Sequence, residues 1–444
     1  MKVMIVGAGK LGTKLSQALS NGEIEVTLMD TRAEVLERAK SHLDVFTVKA
    51  NGVQVSLLKE LKIWTYDLII AVTSSDETNI VVSMLAKKLG CPKSVARIRN
   101  PEYAEQLNFI KNEMNIDQVI NPELSTANEI ERYVLGNYAF YSGEYAKGRV
   151  SMIDLNVSNM VSFVGKKIME LDNIEQLVIV AISRNGVILI PYGETVIEEN
   201  DIIYVMGKKE NVRTLVETYK SKANNKFVKK VMILGGGKIG YYLAKSLENQ
   251  NVNVKIIESN IDRCVYLSEE LNSSLIIHGD GTDINLLEEE DLANVDAFVA
   301  ITGYDEENLL MSLRAKQLEV NKVIAKVSRQ NYVNIIEKLG IDVAINPVNI
   351  TASEILKYIR GGKVISVSLL LGGEAEVTEI KVAEELPVVG KRISKLGLPK
   401  GIIIGAILHK NKVVIPSGDT VIGAGDRLVI FSLLSEVSAL EKYF

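Results

Sequence analysis

Short apolar runs alternate along this chain with stretches whose apolar residues recur at helical spacing. Val3–Val6, Val26–Met29, Leu68–Val72 and Val95–Ile98 are nearly continuous apolar runs of strand length, and Leu11, Leu15, Ala18 and Leu19 share one helical face between the first two. Strands without polar alternation are buried on both faces, the pattern of a parallel sheet covered by helices. A helix-like segment, Pro122–Leu135, follows and has a counterpart in Pro347–Ile359; each opens on a proline, where a missing N–H costs least. These segments are expected to lead the chain out of the sheet. Beyond each, over about Asn137–Lys220 and Lys363–Phe444, short strands around Gly-Lys and Pro-x-Gly turns predict a small α+β unit.

The pattern is written twice. VMIVGAGKLG at Val3–Gly12 returns as VMILGGGKIG at Val231–Gly240, and AVTSSDETN at Ala71–Asn79 returns as AITGYDEEN at Ala300–Asn308. Val164-Gly165-Lys166 answers Val389-Gly390-Lys391, and IPYGETVI at Ile190–Ile197 answers IPSGDTVI at Ile415–Ile422. A repeat that keeps this order defines the fold class: α/β, a tandem duplication of a Rossmann-like doubly wound parallel-sheet lobe followed by a small α+β lobe. The expected division is 1–136 and 137–220 for the first pair of lobes, a polar, basic linker at 221–230, then 231–362 and 363–444 for the second pair.

Composition narrows the function. The length of 444 residues exceeds one hydrophobic core, and 47% hydrophobic with 24% charged residues is ordinary for a folded protein. A net charge of −5 lacks the excess of Lys and Arg that duplex binding needs, so nucleic acid is not expected as a partner. Cys91 and Cys264 stand far apart and His42, His278 and His409 are scattered, so neither a disulfide framework nor a metal centre is read, and a reducing cytoplasm fits. No apolar run approaches the roughly 20 residues of a membrane helix, and the N-terminus runs straight into a strand without a signal sequence.

The chemistry concentrates in the two glycine loops. Gly7, Gly9 and Gly12 follow a strand and open a helix, and Asp30 ends the next strand; Gly235, Gly237, Gly240 and Glu258 repeat the arrangement. The first glycine permits the tight turn, the second lets backbone approach a diphosphate, and the third lets helix and strand pack closely. Helix starts at Lys10-Leu11 and Lys238-Ile239 offer N–H groups and a positive dipole end to phosphates. An acid at the second strand's end accepts hydrogen bonds from ribose hydroxyls and repels a 2′-phosphate, so NAD(H) or adenine nucleotides such as ATP and ADP are expected rather than NADP. Lys10 and Lys238 stand equally for solvated helix lysines and for charges that count phosphates. Asn51-Gly52 and Asp280-Gly281 turn after a third strand, and Thr73 and Thr302 end the fourth, all at the carboxyl edge where such sheets bind ligands. Arg97 and Lys326 end the next strand, equally open to a phosphate contact or a salt bridge. The acidic turns Asp76-Glu77-x-Asn79 and Asp305-Glu306-x-Asn308 fit helix caps better than ligand groups.

An NAD-dependent dehydrogenase would need a substrate domain supplying a general acid or base beside the nicotinamide. This chain repeats the cofactor module instead, and no His occurs between Phe46 and Ile277. A ligand-sensing subunit without turnover fits better, with a nucleotide sensor for some other partner as the remaining alternative. The double fingerprint with Asp30 and Glu258, the AVTSSDETN and AITGYDEEN turns, ARIRNPEY at Ala96–Tyr103 and the Pro-x-Gly-(Glu/Asp)-Thr-Val-Ile strands resemble the TrkA-type cytoplasmic subunits of prokaryotic potassium uptake systems over essentially the whole chain. That resemblance implies two RCK domains (regulators of potassium conductance), each a Rossmann lobe with a smaller lobe. It implies a homo-oligomeric ring of RCK domains at the inner face of the cell membrane, docked on a Trk-type potassium transporter, with NAD(H) or adenine nucleotides in the Rossmann lobes. The family also places a divalent cation near an acid after the last sheet strand. Glu123 stands there in the first half and Val348 in the second.

Overall fold

The computed structural model describes all residues except 21–23, 105, 136–141, 158–159, 161, 172–173, 175, 185–186, 220–227, 330–331, 333–338, 361–363, 371–374, 411, 441 and 444. The boundaries expected at 136/137, 220/221 and 362/363, and most of the expected linker, lie outside the described residues.

The first six strands are β1 Lys2–Val6, β2 Glu25–Asp30, β3 Phe46–Lys49, β4 Leu68–Ala71, β5 Ser94–Arg97 and β6 Gln118–Ile120. They form one parallel sheet in the order β3-β2-β1-β4-β5-β6, the doubly wound arrangement that reverses direction between β1 and β4. Met4, Ile5, Ile69 and Ile70 are fully buried, as apolar runs covered on both faces require. β12 Lys230–Leu234, β13 Asn253–Glu258, β14 Leu275–His278, β15 Ala297–Ala300, β16 Lys322–Lys326 and β17 Val343–Ile345 repeat the sheet as β14-β13-β12-β15-β16-β17. Each small lobe is a five-stranded antiparallel sheet. The first combines β7 Ser142–Tyr145, β8 Val150–Asn156, β9 Leu177–Arg184, β10 Val187–Leu189 and β11 Ile202–Lys208; the second combines β18 Val364–Leu370, β19 Ala375–Lys381, β20 Ile402–His409, β21 Lys412–Val414 and β22 Arg427–Leu433.

The repeats are interlocked rather than strung in a row. The first crossover helix, Pro122–Leu135, buries Ala127, Ile130, Tyr133 and Val134 against Tyr241, Tyr242 and Ala244 of the second half's glycine-loop helix, Lys238–Asn249. The second, Pro347–Arg360, buries Ala352, Ile355 and Leu356 against the first half's core around Leu11, Leu15 and Leu19 on helix Lys10–Ser20. Asn121 donates to the Tyr242 hydroxyl at 3.0 Å, and Lys322 donates to the carbonyls of Tyr133 and Val134 at 3.1 and 2.7 Å. The small lobes share a core in which Val180, Tyr204 and Met206 meet Val377, Ala406 and Phe431. Gly405 belongs to that contact: a Cβ there would stand 2.4 Å from the Met206 sulfur.

Candidate functional site

Both glycine loops have the shape a diphosphate requires. Gly7 and Gly235 turn at φ of +111° and +108°, a backbone region that side-chain-bearing residues rarely adopt. A Cβ on Gly12 would stand 1.8 Å from the Gly7 carbonyl oxygen, and one on Gly240 2.3 Å from that of Gly235, so the third glycine lets the helix meet its own loop. Gly9 and Gly237 differ: nothing lies within 4 Å of a Cβ placed on either, and both are exposed. The space in front of them is the cradle.

The first bonds of the following helices run from the Thr13 N–H to the Gly9 carbonyl and from the Tyr241 N–H to the Gly237 carbonyl. The N–H groups of Lys10, Leu11 and Gly12, and of Lys238, Ile239 and Gly240, therefore precede the ladder and face the cradle. Leu11 keeps its side chain in the core and Ile239 half in it, so these two residues can offer only backbone.

The acids stand where the strand pattern puts them, with a second duty that sequence alone does not show. Asp30 accepts the Ala8 N–H at 2.8 Å and Glu258 the Gly236 N–H at 2.7 Å, so each carboxylate pins the glycine loop it serves. In the second half a cavity of about 220 Å³ opens beside the loop, walled in part by Gly235, Gly237, Glu258, Asp280, Gly281 and Thr302. Of these, Asp280 turns its carboxylate onto Thr282, accepting its N–H and hydroxyl at 2.9 and 2.8 Å. Asn51 likewise accepts the Val53 N–H at 3.2 Å. Gly52 and Gly281 are glycine for packing: a Cβ would reach to 2.8 Å from Val6 and 1.8 Å from Leu234.

The acidic turns brace neighbouring strand ends rather than cap their helices, since the N-cap positions are Ser75 and Tyr304 and the latter makes no side-chain cap bond. Ser75 caps the helix Asp76–Lys88, while buried Asp76 accepts the N–H groups of Arg99 and Asn100, both at 2.9 Å. Buried Asn79 accepts from the Thr73 N–H and hydroxyl, both at 2.8 Å, and donates to the Arg97 carbonyl at 2.8 Å. Asp305 and Asn308 repeat this with Ser328, Arg329, Thr302 and Lys326. Thr73 and Thr302 thus sit at the sheet's carboxyl edge with their N–H groups already engaged.

Charges from both halves converge between the two cradles. Arg97 approaches Glu123 at 3.9 Å, the salt-bridge alternative, yet Arg97 Nε and Glu123 Oε2 are buried without a hydrogen-bond partner. Burial pushes the Glu123 carboxyl up; Arg97, Arg99 and, from the other half, Lys238 pull it back. Burial likewise pushes the Lys326 ammonium down, and Glu123 and Lys10 of the first half both act on it. Glu123, the acid at which the resemblance raised a cation, thus has Arg97, Arg99, Lys238 and Lys326 acting with it. Among the described residues no three His, Cys, Asp or Glu side chains gather as a metal site would need.

Two side chains beside the loops gave no signal in the sequence. Arg32 folds back on Asp30, donating from Nε at 3.1 Å. Arg263 donates from Nε to the Gly236 carbonyl at 2.7 Å and from Nη2 to the Gly237 carbonyl at 3.2 Å, with its guanidinium 4.4 Å from the Tyr266 ring centre. A lone arginine at the N-cap or in the first turn of a helix looks like any surface arginine until its rotamer is known.

Two dinucleotide-fold lobes, each followed by an antiparallel lobe and each carrying an open glycine cradle with its acid, define a duplicated dinucleotide-fold protein. The TrkA-N domain matches residues 3–122 and 231–347, and the TrkA-C domain matches 152–219 and 377–444. The chain belongs to the TrkA family. It is 36% identical over 452 aligned positions to the Trk system potassium uptake protein TrkA homolog 1 of Methanosarcina mazei, covering 100% of both chains. It is 34% identical to the Trk system potassium uptake protein TrkA of Haemophilus influenzae, covering 100% of this chain and 98% of that one. Among solved structures, the GsuK RCK domain matches with a TM-score of 0.57 at 18% identity, covering 100% of this chain and 94% of that one. The GsuK channel bound to NAD matches with the same score and identity, covering 100% and 78%. At that identity the likeness shows the fold, two RCK-like units in tandem.

Proposed function

We propose that this chain is a nucleotide-binding regulatory subunit of a Trk-type potassium uptake system, acting on a membrane transporter from its cytoplasmic face without turnover of its own. The observation that carries the reading is the repeated cradle: open space before Gly9 and Gly237, uncommitted helix N–H groups, and an acid at the end of the adjoining strand. The curated relatives carry potassium-uptake names, and a solved neighbour of the same fold is bound to NAD. NAD(H), ADP or ATP would set its diphosphate against Lys10-Leu11-Gly12 or Lys238-Ile239-Gly240 and its ribose toward Asp30 or Glu258. Arg97, Lys326 and the fingerprint lysines of both halves supply positive charge for further phosphates. None of the described helices is long and apolar enough to cross a membrane, so the transporter would be a separate chain.

The route from nucleotide to transporter follows from the interlock. The helix whose N-terminus faces the phosphates in one half carries, on its flank, the crossover helix of the other half. A shift of the glycine-loop helix is therefore felt by a segment that leads into a small lobe. Self-association into a ring would place many such contacts on one assembly. The test is potassium flux through the reconstituted transporter with ATP, ADP or NADH, comparing wild type with Lys10→Ala plus Lys238→Ala. Flux that ignores nucleotide identity in wild type overturns the gating role; a double variant that still discriminates normally removes the lysines from it. Steady, protein-dependent turnover of nicotinamide with hydroxy, amino or keto acids would overturn the non-enzymatic reading.

A further inference from the structure

The two acids occupy equivalent places, but their surroundings differ. Asp30 accepts four hydrogen bonds: Oδ2 from the Ala8 N–H at 2.8 Å and Arg32 Nη2 at 3.3 Å, Oδ1 from the Arg32 N–H at 3.0 Å and Arg32 Nε at 3.1 Å. A carboxylate has about four lone-pair positions, so this one has none left over. Burial pushes the Asp30 carboxyl up, and the bonds from Arg32 and Ala8 outweigh it and hold the group below its ordinary value. Glu258 accepts the Gly236 N–H at 2.7 Å on Oε2 and the Asn260 N–H at 2.9 Å on Oε1, with the Ser259 hydroxyl at 3.5 Å. Counted the same way, this carboxylate has a lone-pair position left over, and Glu258 forms part of the wall of the 220 Å³ cavity.

The cause is one residue. Arg32 and Asn260 hold the same position, the N-cap of the helix after the acid. Asn260 turns its side chain forward and accepts the Arg263 N–H at 2.9 Å, as an N-cap should. Arginine has no acceptor, so Arg32 makes no cap bond, and of the two carboxylates within two residues, Asp30 and Glu34, its guanidinium bonds to Asp30. Its side chain is 55% exposed, so it can leave for water when something else takes its place.

We infer that Arg32 occupies the ribose acid of the first half, so that the two nucleotide sites are unequal: the second half fills first, and the first fills only when nucleotide is concentrated enough to displace Arg32. The inference rests on the nucleotide reading above and makes the duplicated site a two-threshold sensor. A ribose diol meets an open carboxylate in the second half and must compete with an intramolecular donor in the first.

Calorimetry of the full chain with ADP, and with 2′,3′-dideoxy-ADP, which lacks the diol, tests it. Wild type should show a tight and a weak class of site, and Glu258→Ala should remove or weaken the tight one. Arg32→Ala, and Arg32→Asn, which copies the second half, should tighten the weak class by about tenfold, the scale of one charged hydrogen bond discounted for exposure. Neither should alter the tight class, and dideoxy-ADP should show no gain from either substitution. The inference is overturned if Arg32→Ala leaves the weak class unchanged or weakens it, or if Glu258→Ala removes the weak class instead. With binding present, those results leave the nucleotide reading intact; absence of any ADP binding to wild type overturns both.

Discussion

Single atoms decide the cradle. The Cβ that Gly240→Ala adds would meet a backbone oxygen at 2.3 Å, and a backbone atom cannot rotate away as a side chain can. The substitution should cost about 1–3 kcal/mol of stability, the range for overpacked sites, and should abolish ADP binding in the second half while sparing the first. Equal loss in both halves would contradict that assignment; calorimetry of the variant reads it. Glu123→Gln has a different signature. Burial holds the Glu123 carboxyl above the ordinary value in spite of Arg97, Arg99 and Lys238, so its charged form costs the fold at neutral pH, and apo stability there should rise rather than fall on substitution, even as Arg97, Lys238 and Lys326 lose a shared counter-charge. The rise in melting temperature on adding ADP should grow, since phosphate now supplies the missing negative charge. At this scale the glycine loops and the acids that end the second strands were legible because spacing alone identifies them. The fold-back of Arg32 and the bracing by Asp76 and Asn79 were not, because each depends on a rotamer and on a strand end far away in sequence.

Helices and strands repeat the lesson one level up. Periodicity shows that Pro122–Leu135 and Pro347–Arg360 each have an apolar face, but says nothing about which surface covers it, and each proved to cover the other half's lobe. A test of that swap is Ile130→Ala. Ile130 is fully buried and belongs to the first half by sequence, yet it packs in the second half's core. The loss should be about 2–5 kcal/mol, with amide exchange rising in β12 and β15 rather than in β1 and β4. The crossover helices also enclose a cavity of about 520 Å³ whose wall includes Glu129, Arg132, Glu354 and Lys357, with Glu144 and Asp154 from the first small lobe. Burial pushes the Glu354 carboxyl above its ordinary 4.5, Glu129 adds to the rise, and Ser125 and Lys357 oppose it. An acid whose folded value is raised contributes stability when protonated, below its unfolded value, and loses it as pH climbs through the folded value. Glu354→Gln should therefore melt above wild type at neutral pH, and the gap should close as pH falls to about 4. A gap that widens on acidification would reverse the sign and sink the argument.

For the whole molecule the question is how a nucleotide's small chemical difference could become a large conformational one. Shifting a two-state equilibrium from 1:99 to 99:1 takes about 5.5 kcal/mol of differential affinity, while one charged lysine–phosphate contact contributes roughly 1.5–3 kcal/mol. Two to four equivalent contacts on one shared assembly would suffice, which duplication begins to supply and a ring would complete. The charge cluster drawn from both halves offers the means: Lys10 of the first half acts on Lys326 of the second, and Lys238 of the second on Glu123 of the first. An extra phosphate in either cradle is then felt by both. ATP carries one more phosphate than ADP, so its advantage should be electrostatic and screenable, because the Debye length falls from about 10 Å at 0.1 M salt to about 3 Å at 1 M. The ratio of ATP to ADP affinity, measured by calorimetry, should drop between roughly 50 mM and 500 mM NaCl, whereas adenosine affinity should hardly move. Lys10→Ala plus Lys238→Ala should start from a smaller ratio and lose less of it. A wild-type preference that survives high salt unchanged would mean that shape, not charge, tells the two nucleotides apart.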